Sequence, residues 1–515
     1  MFLLLLIAVL TLLFGYVKWI YSYWHRQGFP YVEAKIPFGI LDSMRKGERS
    51  MGMAIYDAYK SSKEKVLGVY LISRPALLVR DAQLAHDILS KDFISFHDRG
   101  LYVDDENDPM SGSLFALQGE KWKTLRTKLA PSFTSGKLKS MFNTIDDISI
   151  KMLSHLNTQI PDEGSKQIEL RNILSSYAID IIGSVIFGLE VNSFENPSND
   201  FHKLKTLIND PSLTTRIRGT TQFLYPSLEK IFVRLGWKES APEIMKNIVK
   251  QTINFREKNN VSRNDMLQML LQLRNVGKIN TDDSIWTTQS VADAFKSMSV
   301  ETIASQLFLF YIAGYETSAS AAAFTIYELA QYPDLLAKAQ KDVEEAIQKH
   351  NGELTYDTIM DMKFIELCLM ETVRKYPALP MLNRECTQDY PIPGTDKVIK
   401  KGTPILISLF GMHRDPEYFS DPIRYDPERF LEENMNYNPV AYMPFGEGPR
   451  HCIAQRMGKV NVKMAIARLL SNFNIEVNKD RKEIEIDTFG IPIQPKDGVH
   501  VTISKKKRSI SKQFQ

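Results

Sequence analysis

The segment Phe445-Gly446-Glu447-Gly448-Pro449-Arg450-His451-Cys452-Ile453-Ala454 constrains the fold more than any other part of the chain. It places one cysteine in a glycine-rich turn, with an arginine two residues before it and a helix predicted from about Ile453. Such a turn can present a thiolate to haem iron, and an axial sulfur favours O–O cleavage over oxygen carriage. Gly446 and Gly448 admit backbone close to a flat macrocycle, where a Cβ would obstruct it. Turn amides and the N-terminus of the following helix stabilise the sulfur's negative charge, and Arg450 offers a haem propionate a planar fork of donors. For a cysteine taken alone, the competing reading is a buried structural residue beside an ordinary turn.

The rest of the composition narrows the class. Lys plus Arg total 64 and Asp plus Glu 61, a net charge of +3 that argues against a nucleic-acid binder. Cys368, Cys386 and Cys452 form no metal-spacing motif, and a sparse, odd set suits a reducing compartment. The 515 residues, 43% hydrophobic, suffice for a large buried core, and no repeat or low-complexity linker divides them.

Phe2 to Val17 are apolar apart from Thr11, and Trp19, Tyr21, Tyr23 and Trp24 follow like an interfacial aromatic belt. The run sits at the short end of the roughly 17–25 residues that span a bilayer, and a snorkelling Lys18 extends it to about Ile20. A cleaved signal peptide would carry a basic region before the run and a small-x-small site after it, and neither is present. Residues 1–24 are therefore read as a retained membrane anchor. Residues 25–39, with Pro30 and Pro37, are read as a stiff connector and 40–515 as the catalytic body. Lys18, His25 and Arg26 follow the span, so the positive-inside rule leaves the body in the cytosol. The glycosylation sequon Asn260-Val261-Ser262 would then go unused.

A helical pattern without proline runs from about Val291 to Gln331 and ends before Pro333. Glu301, Gln306 and Glu316 interrupt its apolar surface and no sustained heptad appears, which favours a central buried helix over a coiled coil or a second span. Within it Ala313 and Thr317 lie one turn apart on one face. Ala313 leaves room for oxygen and substrate, the Thr317 hydroxyl can donate to dioxygen, and Glu316 can relay protons from solvent. The same string also fits a threonine bonded back to its own helix carbonyl. Glu371 and Arg374, three apart, share a helical face, a pattern common in weak surface pairs. Trp122 and Arg126, one turn apart, could grip a carboxylate or form an ordinary amphipathic edge. Short β-rich segments lie near Val66 to Val79, Lys397 to Ile407 and Gly498 to Ile503, and the Lys505-Lys506-Lys507-Arg508 run reads as a solvated tail.

The cysteine segment resembles the Phe-x-x-Gly-x-Arg-x-Cys-x-Gly signature of the cytochrome P-450 superfamily, with Ala454 where glycine is usual. Alanine, the next smallest side chain, should pack tightly there without loss of haem. The other strings match that family in order. Glu371-Thr372-Val373-Arg374 resembles its Glu-x-x-Arg, and Pro427-Glu428-Arg429-Phe430 resembles its later arginine segment. The finer stretches Pro131 to Lys139 and Arg256 to Asp265 resemble the microsomal group, the second leaning towards insect detoxification enzymes.

The resemblance implies a mainly α fold with small β-sheets, one large catalytic domain and an N-terminal anchor. It implies haem b with Cys452 as the metal ligand, and Phe445, Arg450, Trp122, Arg126, Arg384 and Ala313 at the cofactor. Thr317 and Glu316 would activate oxygen, while Glu371, Arg374 and Arg429 would form a structural network behind the haem. Phe115, Leu309, Leu379, Leu382, Phe489 and Ile491, with Ala313, would line an apolar pocket for lipophilic molecules. Lys121, Lys123, Lys128, Arg456 and Lys459 would dock an acidic NADPH-dependent reductase flavoprotein, and cytochrome b5 is a possible second donor. The implied activity is O2-dependent hydroxylation, epoxidation or dealkylation at the endoplasmic reticulum membrane. Xenobiotics such as plant toxins and insecticides are the expected substrates, with endogenous steroids, terpenoids or fatty acids as the alternative. A haem-thiolate isomerase would need no oxygen activation, and the intact Glu316-Thr317 pair argues against it.

Overall fold

The computed structural model describes residues 1–210, 212–237, 239–263, 265–276, 298–477 and 484–506. The principal helices are α1 (Phe2–Tyr21), α2 (Met51–Lys60), α3 (Gly119–Leu129), α4 (Ser135–Gln159), α5 (Leu170–Ile182), α6 (Ser240–Asn259), α7 (Val300–Gln331), α8 (Lys363–Lys375) and α9 (Gln455–Asn472). Among the described residues nine strands, β1 (Val66–Leu71), β2 (Arg74–Val79), β3 (Lys166–Glu169), β4 (Met381–Glu385), β5 (Tyr390–Pro391), β6 (Val398–Ile399), β7 (Pro404–Ser408), β8 (Phe473–Glu476) and β9 (His500–Lys505), make three small sheets. The largest runs β1-β2-β7-β4, with β2 and β7 parallel and the outer pairs antiparallel. Its register sets Arg384 opposite Ile405. The second sheet is ordered β3-β9-β8, and β5 pairs with β6. The mainly α fold with small sheets is the one expected from the sequence.

Helix α7 is the axis of the body, with α5, α6, α8 and α9 packed against it. It starts later than its pattern suggested. Met298 and Ser299 are not helical, and the Ser299 hydroxyl caps the helix by accepting from the Thr302 amide. Residues 291–297 of the expected helix lie outside the described residues. At the other end Tyr332 leaves helical geometry before Pro333, as the residue before a proline must. Helix α5 approaches closely at Gly314, where a Cβ would sit 2.7 Å from the Ile182 Cδ1.

Helix α1 has no buried residue and is exposed from Phe2 to Tyr16, with a mean hydropathy of 2.3. Its 20 residues at 1.5 Å per residue span about 30 Å, the hydrocarbon thickness of a bilayer. A second apolar helix, Leu170–Phe187, is mostly buried in the body. The aromatic belt does not extend to Trp24. That ring is buried against Gly68, where an added Cβ would sit 2.3 Å from it, and its Nε1 donates to the Val69 carbonyl at 3.0 Å. Tyr21 likewise donates to the Pro37 carbonyl at 2.6 Å. The connector is pinned rather than free, because Val32 donates to Gly68 and Gly39 bridges Leu71. In the terminal basic run Lys505 pairs with Asp162 at 2.5 Å, while Lys507 and Arg508 lie outside the described residues.

Candidate active site

The cysteine turn closes on itself, with the Cys452 amide donating to the Phe445 carbonyl at 2.8 Å. Gly446 and Gly448 both have positive φ, +74° and +67°. Gly448 has a different neighbour from the flat macrocycle expected: its missing Cβ would lie 2.0 Å from the Leu89 carbonyl oxygen. Glycine there lets the turn press onto the Asp87–Lys91 helical turn. Helix α9 begins at Gln455, so Ala454 is its capping residue and the Ala454 amide reaches the sulfur. Burial pushes the thiol up from its ordinary value, opposed by that amide and by the Arg126 and Arg99 charges. Solvent nevertheless reaches Cys452, as it reaches Ala313 in the middle of the buried helix α7. Accessible side chains surrounded by desolvating protein are walls of an interior space.

On α7 the accessible or half-buried positions Leu309, Ala313 and Thr317 recur every four residues, while Tyr311, Tyr315 and Glu316 are buried. Gln306 pins the neighbouring loop to this face: its Oε1 accepts from the Leu114 amide and its Nε2 donates to the Gly112 carbonyl, both at 2.8 Å. Phe115 follows, under the Arg99 guanidinium at 4.0 Å. The Ile493 amide donates to the Ala378 carbonyl at 3.0 Å, which joins the segments carrying Leu379, Phe489 and Ile491. Leu382 departs from the expected pocket wall. It is 5% exposed and packs in the core with Ile407 and Met443, beneath the cysteine turn.

Thr317 donates its hydroxyl proton to the Ala313 carbonyl at 2.7 Å, so its oxygen offers the interior space lone pairs in place of the expected proton. Glu316 does not meet solvent as a relay would. Its carboxylate is buried, held by Arg171 at 2.5 and 3.1 Å and by Ser320 at 3.0 Å, because α5 packs against that side of α7.

Four guanidinia, Arg99, Arg126, Arg384 and Arg450, lie close enough to depress one another's affinity for protons. Arg384 is lowered to about 9 by burial and then by Arg450, and Arg450 to about 10 by burial, with Asp98 opposing. Arg99 is lowered furthest, again by burial first and then by the other three. Its role was not legible, since His97-Asp98-Arg99 matches no chemical spacing. Arg450 is committed elsewhere than to a propionate. It donates to the carbonyls of His97 (2.6 Å), Phe115 (3.3 Å) and Leu117 (2.7 Å) and stacks on Trp122 at 4.2 Å. By contrast, the buried Nε atoms of Arg99 and Arg384 have no partner, and Arg126 has none among the described residues. Buried and half-buried guanidinia with unpartnered N–H groups and no carboxylate of their own, beside an accessible cysteine, fit a cofactor that brings carboxylates and a metal, and haem brings both.

Behind this cluster the deeply buried Glu371 accepts from the equally buried Arg374 at 2.7 and 2.8 Å and Arg429 at 3.2 Å, and from the half-buried Asp426 amide at 2.9 Å. The basic residues near the cysteine are less free than expected. Lys121 pairs with Asp105, Lys123 with Glu120 and Lys459 with Glu366 at 2.6 Å, while Arg456 donates to Ser135. Lys128 has no ion pair among the described residues, and the Arg456 bond brings the start of α9 to the start of α4, close to it in sequence.

The cytochrome P-450 family model matches residues 36–501. The chain belongs to the cytochrome P-450 family. It is 59% identical over 503 residues to the Drosophila melanogaster protein named "Probable cytochrome P-450 6d5", covering 98% of this chain and 99% of that one. It is 52% identical to the housefly Musca domestica "Cytochrome P-450 6d1", over 96% and 98% of the two chains. Housefly "Cytochrome P-450 6d3" is 51% identical, over 98% and 99%. As a member of this cytochrome P-450 family the chain is a haem-thiolate monooxygenase that uses O2 and electrons from a reductase, and its similar relatives are insect proteins.

Proposed function

We propose that this P-450 oxidises neutral lipophilic foreign compounds, such as plant toxins and insecticides, with electrons from NADPH delivered through a flavoprotein reductase. The carrying observation is the accessible Leu309-Ala313-Thr317 stripe in the middle of a buried helix, with Phe115, Leu379, Phe489 and Ile491 on pinned neighbouring segments. An apolar, partly aromatic wall with few polar groups selects for lipophilicity and holds a substrate by burial. Haem held through a cysteine thiolate supplies O–O cleavage. Cys452 would be the ligand, with Arg99, Arg126 and Arg384 gripping the propionates. Arg450 and Trp122 support that grip from behind. Thr317 positions a proton-accepting oxygen beside Ala313, and Arg171 fixes the Glu316 side chain next to it.

Helix α1 would anchor the protein in the endoplasmic reticulum membrane with the body in the cytosol. Asn260 is exposed, so an N-glycan on it in cells would reverse that orientation. The activity is tested by reconstitution with NADPH, reductase and O2, and by substrate-binding spectra across plant toxins, insecticides, steroids and terpenoids. NADPH-dependent product from the first two groups supports the proposal. Binding and turnover confined to endogenous lipids refutes the substrate class, and turnover only with peroxide and no reductase refutes the electron route.

A further inference from the structure

The four arginines come from four separate segments, and one residue, Asp98, is bonded to or adjacent to each of those segments. The Asp98 backbone carbonyl accepts the Glu385 amide at 2.8 Å, which fixes the end of β4 that carries Arg384. Its Oδ1 accepts the amide of Gly119, the first residue of α3, at 2.9 Å, and α3 carries Arg126. The same oxygen stands 3.5 Å from Arg450 Nη2 and 2.8 Å from His97 Nδ1, and Arg99 is its neighbour in sequence. The side chain is 14% exposed, so water screens it little. Among the described residues Asp98 is the only carboxylate in an ion pair with any of the four guanidinia.

Like charges held together in a buried site repel strongly, and an anion among them both relieves the repulsion and fixes their spacing. We infer that Asp98 is a positioning residue that sets the geometry and the net charge of the propionate grip, and through that charge the ease of reducing the bound haem. The inference rests on reading the arginines as the propionate grip. Four cations, one Asp98 and two propionates leave one positive charge, and removing the Asp98 charge leaves two. More positive charge favours the reduced iron, so the midpoint potential rises when Asp98 is neutralised.

The test is a redox titration of the holoenzyme with two variants. Asp98→Asn keeps the acceptor oxygen and deletes the charge, whereas Asp98→Glu keeps the charge and displaces it. The Asn variant is expected to retain haem with about a tenfold higher reduced-to-oxidised ratio at a fixed potential, 59 mV for a one-electron couple. The Glu variant is expected to hold the wild-type potential while releasing haem faster. Haem retention in Asp98→Asn with a ratio unchanged within about threefold overturns the inference, as does an equal shift in both variants. Should the Asn variant not retain haem, the Glu variant decides alone, and a shifted potential in it is the refuting result. Arg384→Leu separates the two layers: undiminished haem affinity there removes the propionate reading itself, while lost affinity with a static Asn potential removes only the role of Asp98.

Discussion

Replacing Glu371 by alanine deletes the only carboxylate, among the described residues, that pairs with the fully buried guanidinia of Arg374 and Arg429. In the wild type that carboxylate accepts three arginine N–H groups and the Asp426 amide. Afterwards Arg374 keeps the His413 carbonyl at 2.8 Å and Arg429 keeps the Ser420 carbonyl at 2.8 Å, but neither keeps a counter-charge. Removing one partner of a buried ion pair costs about 3–5 kcal/mol, because the remaining charge stays desolvated. Here two charges are stranded by one substitution, so that range is the lower bound. Measured against a total stability of about 5–15 kcal/mol, it is about a fifth of the whole or more. At a decade per 1.4 kcal/mol the folded-to-unfolded ratio falls by roughly two to three and a half orders of magnitude. The assay is the urea midpoint together with haem bound per chain, for Glu371→Ala, Glu371→Gln and wild type. Glutamine retains an acceptor but turns an amide donor towards a cation, so it should fall between the two. A Glu371→Ala protein with wild-type midpoint and haem content would refute the argument that this network carries the haem-side fold.

Cys452→Ser should abolish the red-shifted Soret band of the reduced carbon monoxide complex, while Cys368→Ser and Cys386→Ser, buried elsewhere, should leave it intact; a surviving band in the first variant would end the ligand assignment. Thr317→Ala should raise hydrogen peroxide released per NADPH consumed, with haem content unchanged, and an unaltered ratio would return Thr317 to a purely helical role. Lys123→Glu with Lys128→Glu should raise the apparent KM for reductase and blunt its salt dependence, since charge steering fades beyond a Debye length of about 8 Å; peroxide-driven turnover should not move, and a joint loss would place these lysines in the fold instead. Lys459 is the poorer probe, because a glutamate there would face Glu366. Truncation after Lys18 should preserve the melting temperature, whereas removal of Trp24 should cost about 3–5 kcal/mol; equal melting would show that the ring plays no part in the body.

Features encoded by near neighbours were legible, and those made by distant ones were not. The cysteine turn, the Ala313-Thr317 face and the Glu371-Arg374 pair each lie within a few residues, so turn chemistry and helical periodicity expose them. Arg99, Asp98 and Arg171 acquire meaning only when the topology brings β4, α3 and α7 to them, and no local spacing announces that. The same limit applies to Trp24. Its position after an apolar helix reads as a membrane-interface aromatic, and only the pairing with Gly68 reveals a core residue. Arg450 was read from its distance to Cys452, yet the carbonyls that claim it come from residues 97–117.

The four-residue recurrence of Leu309, Ala313 and Thr317 has a consequence for how this protein can change over generations. Those side chains border open space, while the opposite sides of the same helix bear the packing of the core. A substitution at the accessible Ala313 alters the shape offered to a visiting molecule with less disturbance of the packed interior than one on the opposite side. Selection for a different substrate can therefore act on this helix with little risk of pushing the chain below the stability it needs to fold.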